Sequence, residues 1–304
     1  MSRTIIVTGA TGKQGSATIA GLLALPNSSD FSILAVTRNP SSEPAQALKK
    51  RYPPIKLIGG NLDNPNALFT TAAVPVWGVF SVQIFFARGA SIESEERQGK
   101  ALVDSALEYD VKMFVYTSVD RGGPASSDTI STGVPHFESK ARIEKHLKAK
   151  AAGTSMQYTI LRPVFFMENI TPDLMGKFAV ATWRNYLDSR KIPLQLIACA
   201  DIGYFAAQAF AHPDKYASQS ISLAGDELTE AEAARIWTLE TGQEMPIARP
   251  ASVAAWVILH VSNDGALMFK WFASKGYNAD IANLKKEHPG LLDFQTWVRQ
   301  NNRS

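Results

Sequence analysis

Apolar and polar positions follow two alternating periods along the first half of the chain. Short, nearly continuous apolar runs fall at Thr4–Thr8, Ser32–Thr37, Ile55–Ile58, Val76–Val82, Met113–Thr117 and Tyr158–Leu161, and these read as strands. Between them the apolar residues recur at helical spacing, around 14–25, 43–51, 65–72, 91–109 and 136–150. Strands alternating with helices predict a parallel sheet with right-handed crossovers and helices on both faces. Runs such as Ile5-Ile6-Val7 carry no polar residue, as expected of strands covered on both sides.

After about residue 163 the pattern becomes mainly helical, with segments near 173–188, 201–211, 229–241, 252–261 and 264–274 and a short strand at Ser220–Leu223. Ala224-Gly225-Asp226 reads as a turn, and Thr229 with Glu232 three residues later as a capping box. The expected organisation is therefore a first domain over 1–162 and a smaller lobe over 163–304, with chain segments free to interleave. The lobe is expected over the C-terminal edge of the sheet, where such folds bind ligands. Residues 120–133 form a long polar stretch without periodicity, and such loops are usually functional or disordered.

Three glycines sharpen the fold class. Gly9, Gly12 and Gly15 follow the first strand in a GxxGxxG spacing, and Ile19, Leu22 and Leu23 give an apolar helical stripe after them. This is the arrangement of a dinucleotide site in an α/β, Rossmann-type doubly wound parallel sheet. Gly9 allows a sharp turn, Gly12 leaves room for a pyrophosphate, and Gly15 lets the helix approach the strand. The phosphates would sit on the first free N–H groups of that helix.

Further candidates lie at the ends of the other strands. Strand 2 ends at Thr37-Arg38-Asn39-Pro40, with Arg38 where NAD-selective sites place an acid, and a guanidinium suits a ribose 2′-phosphate. Strand 3 ends at Gly59-Gly60-Asn61-Leu62-Asp63, on the expected adenine side; Asp63 or Asn64 can equally serve as a helix cap there. Strand 4 ends at Val82-Gln83-Ile84-Phe85, beneath the expected ribose and pyrophosphate. Strand 5 ends at Thr117-Ser118, and His136 and Lys140 follow at i,i+4 on one helix face. Ser118, His136 and Lys140 form a plausible hydride-transfer constellation, with Lys140 on the nicotinamide ribose or acting directly as acid or base. The alternatives are a surface ion pair of Lys140 with Glu144 at i+4, and an exposed, inert His136 after Pro135.

Composition narrows the classes. Among 304 residues, 31 basic and 28 acidic side chains give a net charge of +3, too mild to argue for nucleic acid or a membrane surface. Apolar residues make up 45%, a globular balance, and no run is long enough to span a membrane; residues 251–261 are apolar but too short. The single cysteine, Cys199, excludes an internal disulfide and fits a reducing compartment. Met1-Ser2-Arg3 runs straight into a strand, so no leader peptide is expected. The histidines at 136, 146, 212, 260 and 288 make no HxxxH pair, so no metal site is expected.

Gly9–Gly15, Thr37-Arg38-Asn39-Pro40, Phe137-x-x-Lys140 and Arg162-Pro163-Val164-Phe165-Phe166-Met167-Glu168-Asn169 together resemble the NmrA-like family. Its members are atypical short-chain dehydrogenase/reductase relatives, with isoflavone reductase-like enzymes as cousins. The resemblance runs through Asp201-Ile202-Gly203-Tyr204 to Phe294-x-x-Trp297. It implies a domain binding NADP(H) and a small α/β lobe closing a cleft. By resemblance, Gly9, Ala10, Thr11, Gly12, Lys13 and Gln14 hold the pyrophosphate, and Arg38 and Asn39 the 2′-phosphate. Asn61 and Leu62 flank the adenine, and Gln83, Ile84 and Phe85 the ribose. Lys140 with Phe166, Met167, Glu168 and Asn169 faces the nicotinamide, and Arg97 lies where some members contact the cofactor. Short-chain dehydrogenases use Tyr-x-x-x-Lys, and here His136 stands at the Tyr position.

Two functions fit this reading. One is an NADPH-dependent oxidoreductase acting on a small, largely apolar carbonyl, enol or imine. The other is a non-catalytic NADP(H) redox sensor that acts through a protein partner, with the 120–133 loop ordering on binding. Neither needs direct contact with nucleic acid or a membrane, and both are compatible with a homo-oligomer. The expected compartment is the cytoplasm, or the nucleus for a regulator.

Overall fold

The computed structural model of the protein describes residues 2–86, 89–187, 191–248 and 263–302. The expected helix at 252–261 lies outside the described residues. The described chain divides into two compact units, the first comprising 1–118, 139–162 and 202–221, the second 119–138, 163–201 and 222–304.

The first unit is built on a seven-stranded sheet in the order β3-β2-β1-β4-β5-β6-β9. Its strands are β1 (Arg3–Val7), β2 (Phe31–Thr37), β3 (Lys56–Gly59), β4 (Gly78–Ser81), β5 (Met113–Thr117), β6 (Gln157–Pro163) and β9 (Gln219–Leu223). The helices α1 (Lys13–Leu23), α2 (Glu43–Arg51), α3 (Asn66–Ala72), α4 (Ile92–Glu108) and α6 (Pro135–Ala151) connect them. The pairs β1–β2, β2–β3, β1–β4, β4–β5 and β5–β6 are all parallel, with Ile5 opposite Ile33 on one side and Gly78 on the other. This is the Rossmann-like α/β fold expected from the alternation of periods. The chain leaves β1 for β2 on one side and returns at β4 on the other, which makes the ends of β1 and β4 the switch point.

The sheet is buried as the continuous apolar runs require: every residue of β4 and β5 is out of water. One core joins Ile6, Val79, Phe114 and Tyr116 of the sheet to Leu102 and Ala106 of α4 and Ile143 and Leu147 of α6. The strand expected at Ser220–Leu223 joins this main sheet beside β6 rather than building a sheet in the lobe. A close crossing was not legible in advance: a Cβ on Gly21 of α1 would meet the Gly203 carbonyl at 2.5 Å, and Gly203 lies in α8 (Cys199–Ala211).

The second unit has its own core around Trp183, Phe165, Met167, Phe269, Trp271 and Trp297. Its helices α7 (Leu174–Leu187), α10 (Glu230–Thr241), α11 (Asn263–Ser274) and α13 (Phe294–Asn301) are joined by a small sheet of β7 (Phe165–Phe166), β8 (Leu194–Ile197) and β10 (Asp226–Leu228). Thr229 and Glu232 form the expected capping box on α10. The stretch 120–133 is not a free loop. It contains a short helix, α5 (Pro124–Thr129), and begins on the buried Asp120 and Arg121. Asp120 accepts hydrogen bonds from the amides of Gly122 at 3.0 Å, Gly123 at 3.1 Å and Asn278 at 3.0 Å, and from Ser222 Oγ at 2.5 Å. Arg121 donates to the carbonyls of Ser127 at 2.6 Å and Val119 at 3.0 Å. These bonds consume the polarity that the sequence displayed as a loop.

Candidate functional site

The glycine loop is shaped by close approach. Thr8 ties it to the end of β4, donating from Oγ1 to the Phe80 carbonyl at 3.1 Å and accepting from the Val82 amide at 2.9 Å. Gly9 then turns with φ +57°, where a Cβ would also strike Val82 Cγ1 at 2.6 Å. The Gly12 amide donates to the Gly9 carbonyl at 2.8 Å, closing the turn. A Cβ on Gly15 would overlap that carbonyl at 2.2 Å, whereas one on Gly12 would approach it only to 3.2 Å. Gly15 therefore serves the fold, and Gly12 is the less crowded of the two, its Cβ position in tight contact with the Gly9 carbonyl alone. Gly12 is the N-cap of α1, and no side chain caps that helix. Its first-turn N–H groups have no intrahelical acceptor and present a positive dipole end. Ala10 is buried, while Thr11 and Lys13 are exposed. Gln14 reaches across to β5, its Oε1 accepting from Thr117 Oγ1 at 2.5 Å.

Around this loop the neighbouring strand ends contribute polar groups. Arg38 is exposed at the end of β2 and has no hydrogen-bond or ion-pair partner among the described residues. Asn39 beside it forms an Asx turn, its Oδ1 accepting from the Ser41 amide at 2.9 Å. Asn61 pairs with Asp63, donating from Nδ2 at 3.1 Å, and Leu62 packs partly buried against the core. Neither Asp63 nor Asn64 caps α3; the cap position falls on Pro65. Asp63 instead accepts from Arg97 Nη2 at 2.8 Å and Gln98 Nε2 at 2.9 Å. Those bonds, Gln98's first and Arg97's next, hold its carboxyl below the ordinary value. Arg97 is thus committed to an exposed ion pair. At the end of β4, Gln83 is buried, its Nε2 bonded to Ser81 Oγ at 2.9 Å and its Oε1 without a partner among the described residues. Ile84 is exposed beyond it, and Phe85 stacks edge-on against Phe86.

Lys140 does not pair with Glu144. Its Nζ lies 2.5 Å from Oε1 of Glu95 in α4, and only 13% of its side chain is exposed. Ser139 Oγ donates to the other oxygen, Oε2, of the same carboxylate. Glu95 is entirely buried. An ammonium carries three donors, and Glu95 is the sole partner of Lys140 among the described residues. Ser118, at the end of β5, is buried, and its amide donates to the Leu161 carbonyl at 2.7 Å.

The remaining candidates belong to the second unit. His136 is buried rather than exposed; its backbone amide donates to one oxygen of Asp264 of α11 at 3.2 Å, and the other oxygen lies in ion-pair contact with Nδ1. Met167 is fully buried; Phe166 and Asn169 are half-buried. Glu168 Oε1 accepts from the Cys199 amide at 2.8 Å and from Trp297 Nε1 at 3.3 Å, so this carboxylate caps α8. Among the described residues, no three His, Cys, Asp or Glu side chains gather as a metal site, and no helix is long and apolar enough to cross a membrane.

The sequence profile of the NmrA-like family matches residues 1–293. The chain belongs to the NmrA-like family. An NmrA-like oxidoreductase of Penicillium ochrochloron, ptmS, is 29% identical over 174 residues, covering 54% of this chain and 48% of that protein, so the chain spans about half the length of that relative. The NmrA-like oxidoreductase malD of Malbranchea aurantiaca is 26% identical over 98% of this chain and 96% of its own. Two solved structures share the NmrA-like fold: a Citrobacter triphenylmethane reductase complexed with NADP(H), with TM-score 0.69, 16% identity and 99% of each chain covered; and an NADPH-dependent quinone oxidoreductase of Escherichia coli, with TM-score 0.68, 21% identity and 98% and 99% covered.

In this member of the NmrA-like family, the residues of the first unit fit a dinucleotide phosphate. Among the described residues no side chain caps the helix end, a Cβ on Gly12 would meet only the Gly9 carbonyl, Arg38 has no partner, and Gln83 Oε1 is an orphaned buried acceptor. Sequence reasoning missed Glu95 and Asp264. Glu95 was legible in principle: it lies in register with Gly99, Leu102 and Ala106 on the buried face of α4, and Ser139 with Ile143 and Leu147 on that of α6. A carboxylate on an apolar stripe signals a buried partner. Asp264 had no such signal, because its partner lies more than a hundred residues away in sequence.

Proposed function

We propose that this NmrA-like protein is an NADPH-dependent oxidoreductase acting on a small, largely apolar carbonyl, enol or imine. The observation that carries the reading is Lys140: an ammonium almost out of water, held among the described residues by one carboxylate and with donors to spare. A purely structural lysine at this depth would be expected to spend those donors on protein acceptors.

When bound, the cofactor supplies the hydride. The residues of the chain do the rest. The loop Gly9–Gly15 and the first turn of α1 hold the pyrophosphate, Arg38 and Asn39 the 2′-phosphate, and Asn61 and Leu62 the adenine side. Gln83 Oε1 accepts a hydrogen bond from the ribose side of the ligand. Lys140 binds the nicotinamide ribose or donates the proton that the reduced substrate takes up. His136, its Nδ1 engaged by Asp264, is the second candidate donor.

The alternative, a redox sensor, draws on His136 in place of the Tyr and on 120–133 as a segment that orders on binding. The internal bonds of Asp120 and Arg121 speak against the second support, and the first stands. The test follows NADPH consumption by absorbance across a panel of carbonyls, enones and imines, with binding of both cofactor forms measured in parallel. Turnover of any member supports the oxidoreductase. Tight NADPH binding with no turnover across the panel overturns it in favour of the sensor.

A further inference from the structure

Lys140 and Glu95 act as a pair, and the pair has a consequence for redox discrimination. Glu95 shares the buried face of α4 with Gly99, Leu102 and Ala106, where an aliphatic side chain would bury at no electrostatic cost. Both of its oxygens are taken: Oε1 by Lys140 Nζ at 2.5 Å, Oε2 by Ser139 Oγ. Ser139 thereby fixes the carboxylate, and the carboxylate fixes the ammonium. The neighbouring ion pair between β6 and α6, Arg162 with Glu144, uses different partners, so among the described residues Glu95 is the sole charge matched to Lys140.

We propose that Glu95, seated by Ser139, is the counter-charge that lets the Lys140 site accept both the oxidised and the reduced nicotinamide. The inference rests on the reading that Lys140 stands at the nicotinamide end of the cofactor site. The two cofactor forms differ at the ring by one positive charge. A lone ammonium beside the ring repels the oxidised form; an ammonium paired with a carboxylate presents a dipole, whose field falls off more steeply with distance. Glu95 is a positioning residue with an electrostatic role. It keeps Lys140 extended as a donor while cancelling most of its repulsion toward NADP⁺.

The experiment titrates the purified full-length protein separately with NADP⁺ and with NADPH by calorimetry and reads the ratio of the two dissociation constants. Glu95→Gln leaves the ammonium uncompensated, and the ratio should move toward NADPH by about tenfold. Glu95→Asp keeps the charge and should stay near the wild-type ratio, whereas a merely structural role would not separate Asp from Gln in this readout. The double variant Glu95→Gln/Lys140→Met removes the pair as a unit and should also stay near wild type. A wild-type ratio in Glu95→Gln, with Lys140→Met shifted, overturns the proposal and leaves Lys140 at the ring. If neither variant moves the ratio while Arg38→Ala still loses preference for NADPH over NADH, the placement of Lys140 has failed, and the proposal falls with it. Should Glu95→Gln not fold, Lys140→Met is compared with the double variant. The lone carboxylate should then favour NADP⁺, and equal ratios overturn the proposal.

Discussion

Arg162 and Glu144 form an ion pair with both side chains out of water, Nη2 lying 2.6 Å and Nε 3.2 Å from the carboxylate oxygens. The pair joins β6 to α6. It also engages the carboxylate one turn along from Lys140, and Lys140 pairs with Glu95 instead. Removing one partner of such a pair strands a buried charge. Arg162→Met should therefore lower stability by about 3–5 kcal/mol, whereas replacing both partners by apolar residues should cost much less. Urea unfolding of the single and double variants measures both.

Arg38 should set cofactor choice. A charge-assisted contact to a 2′-phosphate is worth about 1.5–3 kcal/mol, so preference for NADPH over NADH should be at least about tenfold. Arg38→Ala should erase most of it with little effect on stability, because Arg38 has no partner among the described residues to lose. Calorimetry with the two cofactors checks this; equal wild-type affinities would sink the assignment.

Gly12 and Gly15 should fail differently. A Cβ on Gly12 presses on the Gly9 carbonyl at 3.2 Å, a contact that a shift of a few tenths of an ångström relieves, so Gly12→Val should fold at a modest cost in stability while its branched side chain fills the space of the pyrophosphate. A Cβ on Gly15 collides with backbone at 2.2 Å, so Gly15→Ala should lower the melting temperature whether or not cofactor is present. Thermal melts with and without NADPH distinguish the two. Normal NADPH binding by folded Gly12→Val would place the phosphate loop elsewhere.

For a reductase, Lys140→Met should reduce turnover by about 10²-fold or more, the usual scale for a positioned acid or base. Cofactor affinity should weaken less, since the glycine loop and Arg38 remain. His136→Phe should do less damage than Lys140→Met. Steady-state kinetics on whichever substrate the panel yields, alongside melts that monitor the stranded Glu95, tests this order.

Glu138 should make stability sensitive to acid. Burial pushes its carboxyl up, but hydrogen bonds from the Thr132 amide at 2.6 Å, Thr132 Oγ1, Ser131 and Gly133 outweigh this and hold it below the ordinary value. A depressed carboxylate contributes stability that is present above its unfolded-state value and is lost as pH falls through the folded-state value. Glu138→Gln should therefore destabilise the protein at neutral pH and flatten the acid limb of a melting-temperature profile. A variant profile parallel to wild type would remove Glu138 as a contributor.

The order of strands and helices in the first half, the glycine turn and the Thr229 capping box were legible in the chain itself. Each depends on neighbours a few residues apart: the two periods reflect which backbone geometry buries an apolar side, and Gly9, Gly12 and Gly15 act on one turn. Charge was read less well. Glu95 stands in the run Glu93-Ser94-Glu95-Glu96-Arg97 and looks like a solvated helix face, yet it is the buried partner of Lys140. For His136 the sequence left an exposed, inert residue open as an alternative, and Asp264, far along the chain, lies against it in a buried position. Asp120 and Arg121 looked like a free loop until Ser222 and Asn278 met the carboxylate and the Ser127 carbonyl met the guanidinium. The sequence alone thus determined the sheet, the glycine turn after β1 and the candidate cation Arg38. The tertiary structure alone decided which charges pair, because burial makes an unpaired charge too costly to leave, and the partner that satisfies it is found in space rather than along the chain.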